Sequence, residues 1–232
     1  MTDFAFNECA NVTVTRVGRS EIPVSRITHV FRNPEAVAAL GYAQSYTPDD
    51  GNFYPGMRVP TPSEFSIAFR AWLGRALQRE FPRDLSYFSV VTTASEDLLP
   101  IQRIPHYDST DPTLCAAVIY LCDSRFGGTS FYRHRKTGYE EITEDRRRNY
   151  QLALDNELRL HGPPKREYVN ADTPLFERIF SNPLEFNSAI VYPGRMLHAG
   201  NISPVFSPPR TRDDWRLTIT SLLFSGSSAS AP

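Results

Sequence analysis

In the segment Pro105-His106-Tyr107-Asp108-Ser109 an imidazole and a carboxylate stand two residues apart. On an extended strand, residues i and i+2 point to one face. His106 and Asp108 would then share a focus in the mouth of a β-barrel. A third ligand from another strand would complete a face of two histidines and one carboxylate. That donor set suits ferrous iron and leaves positions open for substrate and O2. Alone, the motif carries little weight. With 26 acidic residues among 232 and five histidines, an H-x-[DE] triplet arises by chance in roughly half of such sequences. The competing reading is an ion pair at the end of a surface strand.

The other histidines divide by context. His198 follows the apolar run Ser188–Val191 and the turn Tyr192-Pro193-Gly194-Arg195, where a strand would resume. His134 lies in Arg133-His134-Arg135-Lys136, whose cations repel a metal; it reads as a solvated hairpin tip. His161 falls at a helix end, where it meets the helix dipole favourably, and His29 reads as a structural residue in a strand. The run Arg146-Arg147-Arg148 sits beside Glu140, Glu141, Glu144 and Asp145. It reads as a salt-bridged, solvated helix face rather than a nucleic-acid contact.

The elements that must carry these residues are mostly strands. Residues 11–32 alternate as short strands. Asn33-Pro34-Glu35 is a helix start, with Gly41 as its stop. Residues 45–60 read as a Pro/Gly/Tyr-rich loop. Thr61-Pro62-Ser63-Glu64 resembles a capping box. A helix with Phe65, Ala68, Phe69, Trp72, Leu73, Ala76 and Leu77 on one face follows, until Phe81-Pro82. Strands are expected over 86–93, 101–108, 114–121, 129–133, 186–197 and 215–224. A charged helix is expected at 140–161, with Ile142, Tyr150, Leu154 and Leu158 as its apolar stripe, and a short helix at 172–180. The fold class is therefore mainly β with flanking helices, an antiparallel sandwich or barrel with helices on an outer face.

Taken in order, these segments resemble the Fe(II)/2-oxoglutarate-dependent dioxygenases, in the prolyl-hydroxylase-like branch of the double-stranded β-helix superfamily. The matching stretches are PHYDS, AAVIYLCD, GGTSFY, NSAIVYPGRMLHAG and WRLTITSLLF, spanning residues 105–224. The resemblance implies a double-stranded β-helix (jelly-roll, cupin-like) core buttressed by N-terminal helices. It implies one oxygenase domain over 1–232: a support region at 1–85, the core at 86–224 with the 140–161 insertion, and a flexible tail at 225–232. It implies His106, Asp108 and His198 as iron ligands, with Tyr120 and Arg216 on the distal carboxylate of 2-oxoglutarate and Thr218 adding a hydroxyl. Fe(II), 2-oxoglutarate and O2 are the implied cofactor and co-substrates, and hydroxylation of a C–H bond in a small molecule, amino acid or peptide is the implied reaction. Related halogenases replace the carboxylate ligand by a small residue, so Asp108 implies hydroxylation or an allied oxidation.

The physics of the anchor agrees, because a lone arginine between Trp215 and an apolar strand is costly unless it meets an anion. One departure concerns spacing. Eighteen residues separate His198 from Arg216 (216 minus 198), more than in most of this branch, which leaves Arg210 and Arg212 as competitors. Two rivals remain: a cupin-like metal-binding protein without turnover, which would need neither Tyr120 nor Arg216, and a demethylase or desaturase of the same class. The aromatic loop at 44–60 (Tyr46, Phe53 and Tyr54, with Tyr42 just before it) and the 140–161 insertion are candidate lids. Covering of sheet edges is the equal alternative.

Composition bounds the remainder. A net charge of -1 provides no field toward nucleic acid or anionic lipid. Three cysteines, Cys9, Cys115 and Cys122, form no CxxC pair and point to a reducing, cytoplasmic setting. The first residues lack a basic n-region and an apolar h-region, and no stretch approaches a membrane span. A monomer or homodimer acting on a small-molecule or peptide substrate is expected.

Overall fold

The computed structural model describes residues 4–48 and 54–226. The chain opens with a hairpin, β1 (Asn11–Val17) and β2 (Ile22–Thr28), paired antiparallel from Asn11↔Thr28 to Val17↔Ile22. His29 lies just beyond β2 in the left-handed region, with φ 60°, rather than inside a strand. Helix α1 (Pro34–Tyr42) starts as its residues dictate: the Asn33 side chain accepts from the Ala36 N–H at 3.3 Å, and proline occupies the first turn. Gly41 does not stop this helix but lies within it. A methyl group there would come within 2.8 Å of Leu217, so glycine lets the helix approach the sheet.

The aromatic segment at 45–60 is partly strand: β3 (Thr47–Pro48) and β4 (Gly56–Pro60) pair with each other, and Asp49, Asp50, Gly51 and Phe53 lie outside the described residues. Helix α2 (Ser63–Leu77) forms with the expected apolar face, but the capping box does not. Pro62 is the N-cap and supplies no side-chain bond, while the Thr61 hydroxyl donates to the Ser86 carbonyl at 3.2 Å. The helix ends before Phe81-Pro82, at Gln78, which turns left-handed with φ 51°.

The remaining elements are β5 (Arg83–Val91), β6 (Leu114–Tyr120), β7 (Thr129–His134), α3 (Glu144–His161), β8 (Phe176–Asn182), β9 (Ser188–Pro193), β10 (His198–Gly200) and β11 (Leu217–Phe224). The expected strand at 101–108 is instead a 3-10 turn, Pro100–Arg103, followed by a single bridge at His106. Residues 172–180 do not form a helix. Phe176–Asn182 is β8, whose backbone is paired along β7, so tertiary pairing overrides local propensity.

A large sheet has the order β1-β2-β9-β6-β11-β5-β4-β3, and a small sheet has the order β10-β7-β8. All named pairs are antiparallel. From β5 onward the chain alternates between sheets: β5 large, the His106 bridge small, β6 large, β7 and β8 small, β9 large, β10 small, β11 large. This alternation makes the core a jelly roll with flanking helices.

Alternation within each strand assigns the two faces of the large sheet. Phe88, Val90, Leu217, Ile219 and Leu223 are fully buried. They join Phe65, Phe69, Trp72 and Leu73 of α2 in the main core. Each such side chain contributes about 1.5–3 kcal/mol of burial. Phe6 stacks on Trp72 at 4.9 Å between ring centroids, and the Trp72 indole N–H donates to the Asn7 carbonyl at 2.9 Å.

Helix α3 and the segment around Val169 cover the outer face of the small sheet through Tyr132, Ile142, Tyr150, Leu154 and Phe176. His134 belongs to this layer and is not a solvated tip. It is fully buried, with Nε2 2.8 Å from Glu157 and Nδ1 2.9 Å from the Thr137 hydroxyl. Glu140 also leaves the solvated charge cluster. It is buried, accepts from Arg133 and from the Arg19 and Ser20 backbone, and joins the β1–β2 turn to the small sheet.

Candidate metal centre

His106 and His198 exchange both backbone hydrogen bonds, at 2.9 and 2.8 Å, which sets their rings side by side with centroids 4.3 Å apart. The Asp108 N–H donates to the Gly194 carbonyl at 2.7 Å. A methyl group on Gly194 would press on the end of the Leu114 side chain, at 2.1 Å. The Asp108 carboxylate thereby faces both rings: Oδ1 lies 3.9 Å from His106 Nε2, and Oδ2 lies 3.7 Å from His198 Nε2. One ligating atom from each of the three residues falls within 4.8 Å of the others. The shared focus expected for an H-x-D strand is therefore reached by one bridge and a turn.

The donor chemistry fits a divalent transition metal. His198 Nδ1 sits 2.9 Å from the Met196 carbonyl. A carbonyl can only accept, so Nδ1 carries the proton and the Nε2 lone pair faces the cluster. Removal from water pushes His198 down to about 4, with the Met196 bond opposing. It pushes His106 down to about 4 as well; His198 adds to the fall and Asp108 opposes it. The His106 side chain keeps 53% of its surface open, so water offsets part of that fall, whereas buried His198 forms the floor of the site and carries the firmer shift. Both imidazoles are neutral at pH 7 and available as ligands. Burial raises Asp108, opposed by His106 and by the guanidinium of Arg58.

Behind this cluster, between the sheets, lie the other three residues singled out from the sequence. Tyr120 is fully buried, with its hydroxyl 2.7 Å from the Thr129 hydroxyl of β7. Thr218 is directly opposite Tyr120 in register, and its hydroxyl donates to the Ser89 carbonyl at 3.4 Å. Arg216 lies one residue before β11 rather than on it. Its guanidinium is buried, 5.8 Å from the Tyr120 ring centre, and donates to the carbonyls of Gly127 and Gly128 at 3.1–3.3 Å. Arg210 is exposed. Arg212 is also exposed, lying over Trp215 and reaching the Tyr42 and Gln44 carbonyls. Of the three competing arginines, Arg216 is the one beside Tyr120.

Three neighbours escaped the sequence reasoning as site residues. Tyr192 packs edge-on against His198 at 4.7 Å. Burial raises the Tyr54 hydroxyl above its ordinary value, against the pull of Arg216, Arg58 and the neighbouring Thr218. Arg58 lies over Tyr87 and Tyr54. Strand register carries them to the site, and no local motif marks that register.

Among the described residues, no helix is long and apolar enough to cross a membrane. No match was found among curated proteins. Among solved structures, the chain is similar to AviO1 from Streptomyces viridochromogenes Tue57 (TM-score 0.49, 13% identity, 94% of each chain covered). It is similar to a Pseudomonas putida prolyl-4-hydroxylase (0.43, 11%, 88% of this chain and 94% of that one). A third is HygX from Streptomyces hygroscopicus with nickel, 2-oxoglutarate and hygromycin B bound (0.46, 11%, 87% and 82%). A family model matches residues 8–223, nearly the whole sequence, and the chain therefore belongs to that family, described as a family of unknown function (DUF6445).

Proposed function

We propose that this chain is an Fe(II)- and 2-oxoglutarate-dependent oxygenase that hydroxylates a C–H bond of a small molecule, amino acid or peptide. The observation that carries the reading is two chemistries in one fold: the His106–Asp108–His198 cluster, and buried Arg216 beside Tyr120, whose register partner is Thr218 and whose hydroxyl reaches the small sheet. A metal-binding protein without turnover has no use for the second group.

Each residue has a defined part. His106, Asp108 and His198 would hold Fe(II), and three protein donors would leave the ion free to take further ligands. Iron with 2-oxoglutarate supplies oxidation by O2, coupled to decarboxylation of the co-substrate. Arg216 pairs with the distal carboxylate through a planar fork. The Tyr120 and Thr218 hydroxyls donate to the same group, and the surrounding apolar residues exclude water from it. The Met196 carbonyl keeps the proton on His198 Nδ1, so that Nε2 remains a ligand.

The test is an anaerobic absorbance titration with Fe(II) and then 2-oxoglutarate. A weak visible charge-transfer band that requires both additions is expected. No band at saturating concentrations, with the protein folded, overturns the reading.

A further inference from the structure

The two segments that carry the metal ligands meet again on the far side of the small sheet. Leu197 and Ala199 flank His198, and both lie in the apolar layer that α3 covers, Leu197 completely buried. Tyr107, between His106 and Asp108, packs into the same layer, which Ile104 also joins. Neighbours on extended backbone project to opposite sides. Contacts made in this layer therefore bear directly on where the ligands stand.

The 140–161 insertion grips both segments, by different means. On the His198 side it uses backbone and charge. The Leu197 N–H donates to the Glu140 carbonyl at 2.9 Å, and the Ile142 N–H donates to the Arg195 carbonyl at 2.8 Å. The Arg195 guanidinium pairs with Glu141 at 2.6 Å. On the His106 side the insertion uses side chains. Tyr150 of α3 is 3% exposed and meets the Tyr107 ring edge-on, with centroids 6.1 Å apart and planes at 76°. One turn earlier and beyond, Glu144 accepts from the Thr110 hydroxyl at 2.8 Å. Tyr150 is backed in turn by the buried His134 ring, edge-on at 5.1 Å, and His134 is tied to Glu157 of the same helix.

The two segments differ in how firmly their own backbone is held. His198 begins β10, which is laddered to β7. Residues 104–113 belong to no named strand or helix. Their backbone is tied by the His106–His198 bridge and by the Asp108 and Ser109 N–H groups, which donate to the Gly194 carbonyl. A ligand segment outside a ladder relies on packed side chains to keep its geometry.

We propose that Tyr107 is a positioning residue. Packed on Tyr150, it holds His106 and Asp108 at the spacing from His198 that a metal requires, and α3 is the brace of the metal centre. The inference rests on the reading of His106, Asp108 and His198 as metal ligands.

The test uses Ni(II) alone on the metal-free full chain, with affinity measured by calorimetry and stability by thermal unfolding. Tyr107→Ala is expected to weaken Ni(II) binding at least about tenfold, the scale on which supporting residues act on metal affinity. Its melting temperature should fall by no more than about 4 °C, because the ring is only half-buried. Tyr107→Phe keeps the ring and should stay within about twofold of the unchanged protein. Leu158→Ala is the control for stability alone. Leu158 packs in the same layer eight residues along α3 from Tyr150 (158 minus 150), and its loss should lower the melting temperature at least as far with Ni(II) affinity unchanged. If Tyr107→Ala does not fold, Tyr107→Leu, which fills the layer without a ring, should fold and bind at least about fivefold more weakly. Binding within about twofold of the unchanged protein, by whichever of these two variants folds, overturns the role of Tyr107. An equal loss in Leu158→Ala also overturns it, since affinity would then merely follow stability. A loss in Tyr107→Phe as large as in Tyr107→Ala overturns the part played by ring packing. An unchanged protein that binds no Ni(II) overturns the metal centre itself.

Discussion

The two faces of the large sheet use the same strands for opposite ends. Thr218 and Ile219 are adjacent in β11, and both are fully buried. Ile219 faces α1 and α2 with Phe88, Leu217 and Leu223, in a mainly apolar layer that also holds the hydrogen-bonded Ser86–Ser221 pair at 2.7 Å. Thr218 faces the small sheet, in a row with Tyr120, Ser89 and Arg58. Burial alone does not separate core from site. The decisive difference is that one face is mostly hydrocarbon, while the other carries at its Thr218 end a row of groups that each need a hydrogen-bond partner. Strand alternation lets a single segment serve both, because neighbouring residues project to opposite sides.

The comparison can be broken most forcefully at the metal cluster. Asp108→Ala removes the charged ligand and should lower Fe(II) affinity by at least about a thousandfold, while the melting temperature of the metal-free protein changes little. Equilibrium dialysis against Fe(II) under anaerobic conditions, with thermal unfolding alongside, checks both halves. Tight binding by the variant would falsify the assignment of Asp108.

Next in size is Arg216→Ala. Leaving the distal carboxylate unpaired in a buried site costs about 3–5 kcal/mol, so 2-oxoglutarate should bind a few orders of magnitude more weakly and Fe(II) normally. Arg210→Ala and Arg212→Ala, on exposed positions, should have little effect. If either of them loses 2-oxoglutarate and Arg216→Ala does not, the anchor is misassigned.

The neighbouring pair in β11 sharpens the contrast further. Thr218→Val deletes one hydroxyl bond to a charged group, worth about 1.5 kcal/mol, and should weaken 2-oxoglutarate roughly tenfold. Ile219→Val leaves a small cavity on the helix side and should cost about 0.5–1.5 kcal/mol of stability with co-substrate affinity unchanged. Denaturant midpoints and calorimetric binding of 2-oxoglutarate, measured on both variants, should show the two effects uncrossed.

Much of this division was legible in the sequence, and the exceptions share a cause. The strand at 114–120 and the aromatic face of α2 follow from local pattern, and the H-x-D triplet with a later histidine points to residues that the fold brings within 4.8 Å. What local pattern misjudged depends on distant pairing. His134 carries basic neighbours in sequence, yet Glu157 of α3, 23 residues later, is its partner. Residues 176–182 become a strand because β7 offers a ladder. Arg58 lies in a stretch that reads as a loop, and it becomes a site neighbour because β4 pairs with β5. The 3-10 turn before His106 shows the converse, since a local expectation of strand was wrong while the shared focus of His106 and Asp108 still formed through the bridge to His198.

The smallest expected effect is a pH dependence, and it tests whether the two histidines differ from ordinary ones. In the metal-free protein burial lowers His198 to about 4 and lowers the more open His106 in the same direction, below the usual value near 6.5. A metal competes with protons for the same lone pairs. At an ordinary histidine pair, affinity would begin to fall as pH drops below about 6.5. Here the lone pairs stay unprotonated until pH approaches their lowered values, so affinity should be nearly flat from pH 8 to about 5.5, within roughly threefold, and decline only below that. Asp108, raised by burial, adds its own loss at the acid end. The same shift has a sign for stability. Between about 4 and 6.5 the unfolded chain binds more protons than the folded one, so the contribution of these imidazoles is complete above about 6.5 and is lost as pH falls toward 4. Ni(II), which is stable in air, serves as the probe, with affinity measured at half-unit steps of pH. A decline centred near 6.5 would show that His106 and His198 keep ordinary basicity, and that the cavity mouth is far wetter than the packing around His198 requires.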